Sequence, residues 1–228
     1  MPQSTPLRSQ PRTVVVLLGG PGSGKGTHGL ALAAALGYRH LSSGEHLRDH
    51  IRRETPLGRR AQEAIQGGRL VSDDVVLELV RTMLSAGSEA TGFVMDGYPR
   101  SQAQAMSLET LVSAANCVVT QTLYLAISDS EMMRRLSGRL TCRKCGRTCQ
   151  EGTKGPVPGG SCDACGGELF RRADDEPTTI QRRIDVFHQM IEPLLQFYRA
   201  SGRLTEVAAE GSVQKVSARV VAAARCSG

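Results

Sequence analysis

Aromatic side chains are scarce in this sequence, which has no tryptophan, four tyrosines and four phenylalanines among 228 residues. Proteins that bind single-stranded nucleic acid stack bases on aromatic rings, so few stacking platforms are available here. Long apolar runs are lacking too, because Thr13–Leu18 is far shorter than the ~20 residues of a membrane-spanning helix. It is also too short for the apolar part of a secretory signal. We therefore expect a soluble protein whose partners are neither membranes nor nucleic acids.

Acidic residues are outnumbered by basic ones, with 22 Asp and Glu against 28 Lys and Arg and a net charge of +6. This surplus is most simply explained by anionic substrates. The chain is long enough to bury one substantial α/β core without disulfide support. Residues 1–12 contain no acid and are rich in Ser, Pro and Gln, so we predict a disordered lead-in. A transit peptide is the less favoured alternative, since the segment is short and has no apolar face.

A glycine-rich segment, GGPGSGKGT at Gly19–Thr27, lies between an apolar run and a helical pattern. Glycines allow successive backbone N–H groups to turn inward around a polyphosphate, and Lys25 supplies a cation for the terminal phosphates. The helix that follows directs its positive end at the same place. A merely structural turn would not require strand, loop, lysine, hydroxyl and helix in this order. The segment therefore predicts nucleotide binding.

Short apolar runs alternate with helical patterns along the chain, which predicts an α/β fold with a parallel sheet flanked by helices. The predicted strands are Val14–Leu18, Tyr38–Leu41, Gly92–Met95, Gln121–Ala126 and Leu204–Val207. The predicted helices are Lys25–Leu36, Gly44–Arg53, Leu57–Gly67, Asp73–Ser85, Gln102–Ala114, Asp129–Arg139, Pro177–Arg199 and Val213–Ala224. Ser72, Ser101, Ser128 and Ser212 are predicted helix N-caps.

Four of the seven cysteines form two Cys-x-x-Cys pairs, Cys142 with Cys145 and Cys162 with Cys165, sixteen residues apart. This spacing is typical of four-thiolate zinc sites. Two disulfides are the alternative, disfavoured because nothing indicates an oxidising compartment. The surrounding stretch between Leu140 and Leu169 has too few apolar residues for a core, so a bound zinc would supply its folding free energy.

Four segments point to one family: GGPGSGKGT at 19–27, HLSSGEHLR at 40–48, DGYPR at 96–100 and RADD at 172–175. With the cysteine quartet, they resemble the adenylate kinases of the long type with a zinc-binding lid, within the nucleoside monophosphate kinases. The resemblance spans about residues 13–220. It implies a P-loop NTPase-like core with a five-stranded parallel sheet flanked by helices, a helical NMP-binding flap and a small zinc-stabilised lid.

The resemblance also implies domain boundaries, activity and location. The core would comprise residues 13–42, 72–137 and 176–228, with the flap at 43–71 and the lid at 138–175. The family interconverts ATP plus AMP with two ADP, using Mg²⁺ in addition to the structural Zn²⁺. A monomer in the cytoplasm is expected.

Roles for individual residues follow from the same resemblance. Phosphates and base of ATP would be held by Gly22, Ser23, Gly24, Lys25, Gly26, Thr27, Arg135 and Arg139, the two arginines being expected on one helix face. AMP would be held by Ser43, Arg48, Leu70, Val71, Gly97, Arg100, Gln104, Arg172 and Arg183. The implied catalytic residues are Lys25, Arg100, Arg139, Arg172 and Arg183. Zinc would be bound by Cys142, Cys145, Cys162 and Cys165.

Some positions depart from the family pattern. Glu45 stands where the family usually has aspartate, and Ser43 replaces a threonine. Cys149 and Gln150 replace an aromatic residue and a histidine, and Thr153 replaces a further aromatic, so the choice between ATP and GTP as donor is less determined. A GTP:AMP phosphotransferase or another nucleoside monophosphate kinase is the alternative enzyme. A nucleic-acid-binding zinc ribbon is the alternative from another class.

Overall fold

The computed structural model describes residues 10–86, 89–152 and 156–226. Within them the strands are β1 (Arg12–Gly19), β2 (Arg39–Ser42), β3 (Gly92–Asp96), β4 (Cys117–Ala126), β5 (Arg139–Cys142), β6 (Thr148–Gln150), β7 (Leu169–Phe170) and β8 (Leu204–Ala208). The helices are α1 (Lys25–Leu36), α2 (Ser43–Arg52), α3 (Pro56–Gln66), α4 (Asp73–Ser85), α5 (Gln102–Ala114), α6 (Asp129–Ser137), α7 (Pro177–Ala200) and α8 (Val213–Arg225). A 3₁₀ turn spans Ala173–Asp175.

The main sheet has five strands in the order β2-β3-β1-β4-β8, and every neighbouring pair is parallel. The predicted α/β fold with a five-stranded parallel sheet is therefore confirmed. Strand β1 is central, and its carboxyl end leads directly into the glycine-rich loop. The carboxyl end of β3 lies beside it, with Leu17 in register with Asp96. The sheet thus brings the loop and Asp96 to the same edge.

Alternate residues of β1 face two separate apolar layers. Val14, Val16 and Leu18 pack with residues of α4, α5 and α7 on one side of the sheet. Val15 and Leu17 pack with residues of α1 and α8 on the other side. Burial on both faces explains the unbroken apolar run, which is typical of central parallel strands. The strand that carries the loop is therefore held rigidly.

The predicted disordered lead-in ends at residue 12, but β1 already begins at Arg12. The guanidinium of Arg12 donates to the carbonyl of Ala115 at 2.9 Å and lies 5.1 Å from the ring centre of Phe93. These contacts fix Arg12 in the sheet, so assigning it to a disordered segment was wrong. The prediction of disorder for residues 1–9 lies outside the described residues.

A second, antiparallel sheet of three strands in the order β6-β5-β7 was not predicted. The predicted helix Asp129–Arg139 was too long at its C-terminus, because α6 ends at Ser137 and Gly138 follows as its C-cap. Arg139 is consequently the first residue of β5 and does not share a helix face with Arg135. The chain changes direction at this point.

Two of the predicted serine N-caps accept the expected hydrogen bond, Ser101 from the backbone of Gln104 and Ser212 from that of Lys215. Ser72 and Ser128 occupy the N-cap position without such a bond. Among the helices of the described ranges, none combines the length and the apolar composition that crossing a membrane requires.

Candidate active site

The glycine-rich loop wraps around the side chain of Lys25, the first residue of α1. Its Nζ donates to the carbonyl of Gly19 at 2.7 Å and to that of Gly20 at 2.9 Å. The Oγ of Ser23 lies 3.4 Å from the same nitrogen, and the residue is fully buried and does not line the crevice. The ammonium group is therefore anchored at the mouth of the loop.

The loop conformation depends on Gly24, which caps α1 with φ of 89°. A Cβ atom at this position would lie 2.7 Å from the ring of His28, so both the backbone angle and the space require glycine. With no side chain there, the N-terminus of α1 is open to an anion.

Many of the side chains that line one crevice, which we call the arginine crevice, are cationic, and six of these come from separate segments of the chain. They are Lys25, Arg48, Arg100, Arg139, Arg172 and Arg183. Burial lowers the pKa of Lys25 to about 8, although nearby Asp96 opposes the shift. Burial and the neighbouring Arg48 and Arg139 likewise lower the pKa of Arg172 to about 9. Such crowding of cations is relieved when a polyanion binds between them.

Carboxylates at the base of the lid hold several of these arginines. Asp175 accepts from Arg139 Nε at 2.8 Å and from Nη2 at 2.5 Å, a bidentate arrangement. Arg183 Nη1 lies 3.0 Å from both Asp175 Oδ1 and Asp174 Oδ2. Arg172 donates from Nε to Thr141 Oγ1 at 2.8 Å. The planar guanidinium groups are thereby oriented before any ligand binds.

Oxygen ligands for a magnesium ion are present at the same edge of the sheet. A Cβ atom on Gly26 would lie 3.6 Å from Asp96 Oδ2 and 3.8 Å from Glu45 Oε1, so both carboxylates approach the phosphate loop. Ser42 donates to Asp96 Oδ2 at 3.2 Å, and Thr27 lines the crevice. Carboxylate and hydroxyl oxygens are the ligands that Mg²⁺ prefers, so these residues fit that ion. Although Glu45 replaces the aspartate that is usual in the family, its carboxylate still lies near the phosphate loop.

A second, smaller cavity adjoins the crevice beneath α2 and α4. It is lined by Ser43, Leu47, Leu70, Val71, Val76, Gly97, Arg100 and Gln104. The Oγ of Ser43 is buried and has no hydrogen-bond partner in the described part of the chain. Gly97 has φ of 80°, and a Cβ atom there would lie 2.6 Å from that hydroxyl. Apolar walls with a few polar groups are typical of a site for a planar base.

The amide of Gln104 makes one hydrogen bond at each end within the wall of this cavity. Its Oε1 accepts from the backbone N–H of Arg100 at 2.8 Å, and its Nε2 donates to Asp73 Oδ1 at 2.7 Å. Sequence reasoning treated Asp73 only as a helix start. No local pattern signals this contact, because 31 residues separate the two partners.

On the opposite side of the phosphate loop, Arg135 is held in place by three acceptors. Its Nε donates to Glu131 at 2.6 Å, Nη2 to the carbonyl of Ala209 at 2.9 Å, and Nη1 lies 3.5 Å from the carbonyl of Gly22. Hydrogen bonds from Arg134 and then Arg135 lower the pKa of Glu131 to about 2. Glu131 was missed from the sequence, although its i, i+4 spacing to Arg135 could have indicated the pair.

The four predicted metal ligands meet in the lid. Their sulfur atoms all lie within 4.8 Å of one another, with Cys142 and Cys165 3.5 Å apart and Cys145 and Cys162 3.8 Å apart. A tetrahedral zinc site with Zn–S bonds of about 2.3 Å requires sulfurs about 3.8 Å apart. The backbone N–H groups of Cys145 and then Lys144 lower the pKa of Cys142 to about 6. The quartet therefore fits a tetrahedral thiolate-bound ion such as Zn²⁺.

Two of the positions that depart from the family pattern, Cys149 and Gln150, lie along the arginine crevice, with Gln150 beside Arg135. Gln150 donates from Nε2 to the carbonyl of Arg135 at 2.9 Å, and with Cys149 it lines the crevice. Thr153 lies outside the described residues. All predicted ATP and AMP residues except Ser23 line the crevice or the smaller cavity, and the four cysteines lie together in the lid.

Comparison with known proteins agrees with this geometry. The family model described as Adenylate kinase matches residues 17–203. An adenylate kinase of Acidothermus cellulolyticus is 39% identical over 92% of this chain and 97% of its own length. One of Moorella thermoacetica is 39% identical over 94% and 97%, respectively, and one of Methanothrix thermoacetophila is 37% identical over 89% and 94%. The chain belongs to the adenylate kinase family, whose members are nucleoside monophosphate phosphotransferases.

Proposed function

We propose that this chain catalyses reversible, Mg²⁺-dependent transfer of the terminal phosphoryl group of ATP to AMP, giving two ADP. One observation carries the proposal: the arginine crevice connects the phosphate loop with the cavity of Ser43 and Gln104. Two mononucleotides placed in these two sites would meet with their phosphates between the cationic side chains. The membership of the family supports the same reaction.

The chemistry needs little more than this arrangement. Phosphoryl transfer is accelerated mainly by holding donor and acceptor in line and by neutralising charge on the transferred oxygens. The acceptor is itself an anionic phosphate, so no general base is required. This fits a crevice whose functional side chains are mostly guanidinium groups.

In this proposal the donor phosphates lie in the loop Gly22–Thr27 against Lys25, and Arg135 packs on the donor base. Arg48 and Arg100 bind the acceptor phosphate. Arg139, Arg172 and Arg183 contact the phosphoryl group in transit. Lys25, Arg100, Arg139, Arg172 and Arg183 are the proposed catalytic residues. All five cationic side chains line the arginine crevice, which in this proposal lies between the two nucleotide sites.

The acceptor base would lie in the smaller cavity. Ser43, Leu70, Val71 and Gly97 would surround it, and Gln104 would read its edge. Glu45, Asp96 and Thr27 would hold the magnesium ion, which neutralises charge on the donor phosphates when it is bound. We place the acceptor flap at residues 43–71, the zinc-binding lid at 138–175 and the core in the remaining segments from residue 13 onward.

We also propose a monomer that acts in the cytoplasm without nucleic acid or membrane partners. One chain supplies every residue of the proposed site, so no second copy is needed to complete it. Four free thiols gathered at metal-binding distance are compatible with a reducing compartment, where they stay available to a zinc ion.

A coupled assay of ADP formation tests the proposal, with ATP or GTP as donor against AMP, GMP, CMP and UMP. ATP with AMP and Mg²⁺ should give the highest kcat/KM, and omission of Mg²⁺ should abolish turnover. GTP:AMP phosphotransfer is the second candidate, because the departures at Cys149 and Gln150 lie beside the donor site. A higher kcat/KM with GTP would select it. Absence of ADP with every pair would contradict both.

A further inference from the structure

We infer that Asp73 is a positioning residue: it locks the Gln104 amide in one orientation and thereby restricts the acceptor to 6-aminopurine nucleotides. The inference deepens the proposed function and depends on it. Asp73 does not touch the acceptor in this scheme and acts only through Gln104. It is the first residue of α4, and its carboxylate Oδ1 accepts from Gln104 Nε2 at 2.7 Å.

The orientation of the Gln104 amide follows from its two partners. A carboxylate can only accept and a backbone N–H can only donate, so the amide must turn its nitrogen to Asp73 and its oxygen to Arg100. Reversing it would place oxygen against oxygen and N–H against N–H. Gln104 is only 3% exposed, so water has little access to its amide, whereas Asp73 is an exposed residue. Such a reversal costs roughly 10- to 100-fold or more in equilibrium constant.

The locked amide keeps one N–H and one oxygen lone pair for a ligand, because each of its ends has used only part of its hydrogen-bonding capacity. The edge of adenine offers an amino donor beside a ring-nitrogen acceptor, which a fixed amide satisfies in one orientation. The edge of hypoxanthine or guanine offers a carbonyl acceptor beside an N–H donor, which needs the reversed amide. The lock therefore rejects 6-oxopurines without any steric clash.

The cavity in which the amide lies is otherwise suited to a purine. Leu70 and Val71 line it, and the buried hydroxyl of Ser43 still lacks a partner. A buried polar atom without a partner points to a ligand that supplies one. The free N–H and the free lone pair of Gln104 likewise need partners that a ligand would supply.

The test compares AMP with inosine monophosphate as acceptor, using ATP and purified full-length protein. Asp73→Asn and Asp73→Ser each offer Gln104 either a donor or an acceptor, so the amide can take both orientations. The backbone N–H of Arg100 still favours the original one. We therefore expect the ratio of kcat/KM for AMP over inosine monophosphate to fall by about tenfold. The KM for AMP should rise while kcat at saturating AMP stays near the wild-type value. Asp73→Glu, which can only accept, should preserve the ratio.

Asp74→Asn is the matched control. It removes the same charge from the same helical turn, and both carboxylates belong to exposed residues, but Asp74 pairs with Arg60 and not with Gln104. Its ratio should equal that of the wild type. Melting curves identify which Asp73 variants are folded, and an unchanged ratio in a folded Asp73→Asn or Asp73→Ser protein overturns the inference. Failure of the wild type to phosphorylate AMP would instead refute the proposed function, so the two failures are distinguishable.

Discussion

Arg139 and Asp175 form a bidentate ion pair that connects the first strand of the lid to the 3₁₀ turn before α7. The Asp175 side chain is 2% exposed and also contacts Arg183 Nη1 at 3.0 Å. One buried carboxylate therefore orients two arginines of the crevice. Its removal should affect both the stability of the protein and the alignment of these guanidinium groups.

The first prediction concerns this carboxylate. Asp175→Asn should lower the free energy of unfolding by about 3 kcal/mol, because the buried carboxylate is replaced by a neutral amide, the partly buried Arg139 loses its charged partner and Arg183 keeps only Asp174. Urea denaturation without nucleotide, followed by circular dichroism, measures the change. Glu176→Gln is the control, since it alters the adjacent, exposed carboxylate in the same way. Equal stability of the two variants would contradict the structural role of Asp175.

The second prediction concerns Lys25. Lys25→Met should lower kcat/KM for ATP at least about 100-fold, because the loop loses the cation that meets the terminal phosphates. Burial already disfavours the ammonium group in the empty protein, so the melting temperature should change little. Steady-state kinetics and calorimetry test both statements. Lys215→Met, at an exposed lysine of α8, should leave both values unchanged. A folded Lys25→Met protein with near wild-type turnover would refute the loop assignment.

The third prediction concerns the lid metal. Purified protein should contain one zinc ion per chain, and Cys145→Ser should lose it. Among the described residues of the lid, the buried cluster consists of only Leu140, Cys142, Cys162 and Leu169, so metal removal should expose lid amides to hydrogen exchange while β1 and β4 stay protected. Hydrogen-exchange mass spectrometry reports both regions. Cys226→Ser, at the exposed chain end, is the control. Unchanged lid protection after verified metal loss would count against this prediction.

The fourth prediction concerns pH and His28. Burial, followed by the nearby charge of Arg135, lowers the pKa of this histidine to about 4. The unfolded chain, with an ordinary histidine pKa near 6.5, then binds more protons than the folded one between these values. Stability should be complete above about pH 6.5 and should fall by roughly 2 to 3 kcal/mol as the pH drops toward 4.

His28→Gln should remove this part of the pH dependence, as measured by urea denaturation at a series of pH values. The imidazole Nδ1 lies 2.9 Å from Ser217 Oγ, and the glutamine amide can hydrogen-bond to that hydroxyl. His188→Gln, at an exposed histidine of α7, controls for the loss of an imidazole elsewhere. Identical curves for His28→Gln and the wild type would show that His28 does not cause the effect.

The sequence was sufficient to predict the main sheet because its strands are buried on both faces and appear as short apolar runs. It was not sufficient to predict where every strand and helix begins and ends, or to predict the short strands of the lid. Strand β4 starts at Cys117, four residues before its predicted start, because the polar Thr120, Gln121 and Thr122 separate the apolar Cys117–Val119 from the apolar end of the strand. The lid strands are two to four residues long and carry no periodic pattern. Helix α6 ends before Arg139 because Gly138 caps it, a stop signal that was present in the sequence.

The candidate site was predicted residue by residue from motifs, whereas its supporting contacts were not. Asp73, for example, reaches Gln104 across the fold from 31 positions away. Such pairs depend on the packing of helices and strands, which a local pattern does not encode. Glu131, four residues before Arg135, is the exception and was available from helical spacing.

The chain enters the lid along β5 and leaves it along β7, and these two strands are hydrogen-bonded neighbours. Entry and exit therefore lie side by side, between two helices, α6 and α7, that pack on each other. A segment joined in this way has both of its ends held by the protein itself. Any folding free energy that a bound metal ion supplies would therefore act mainly within the segment, away from the paired strand ends that carry Arg139 and precede Arg172.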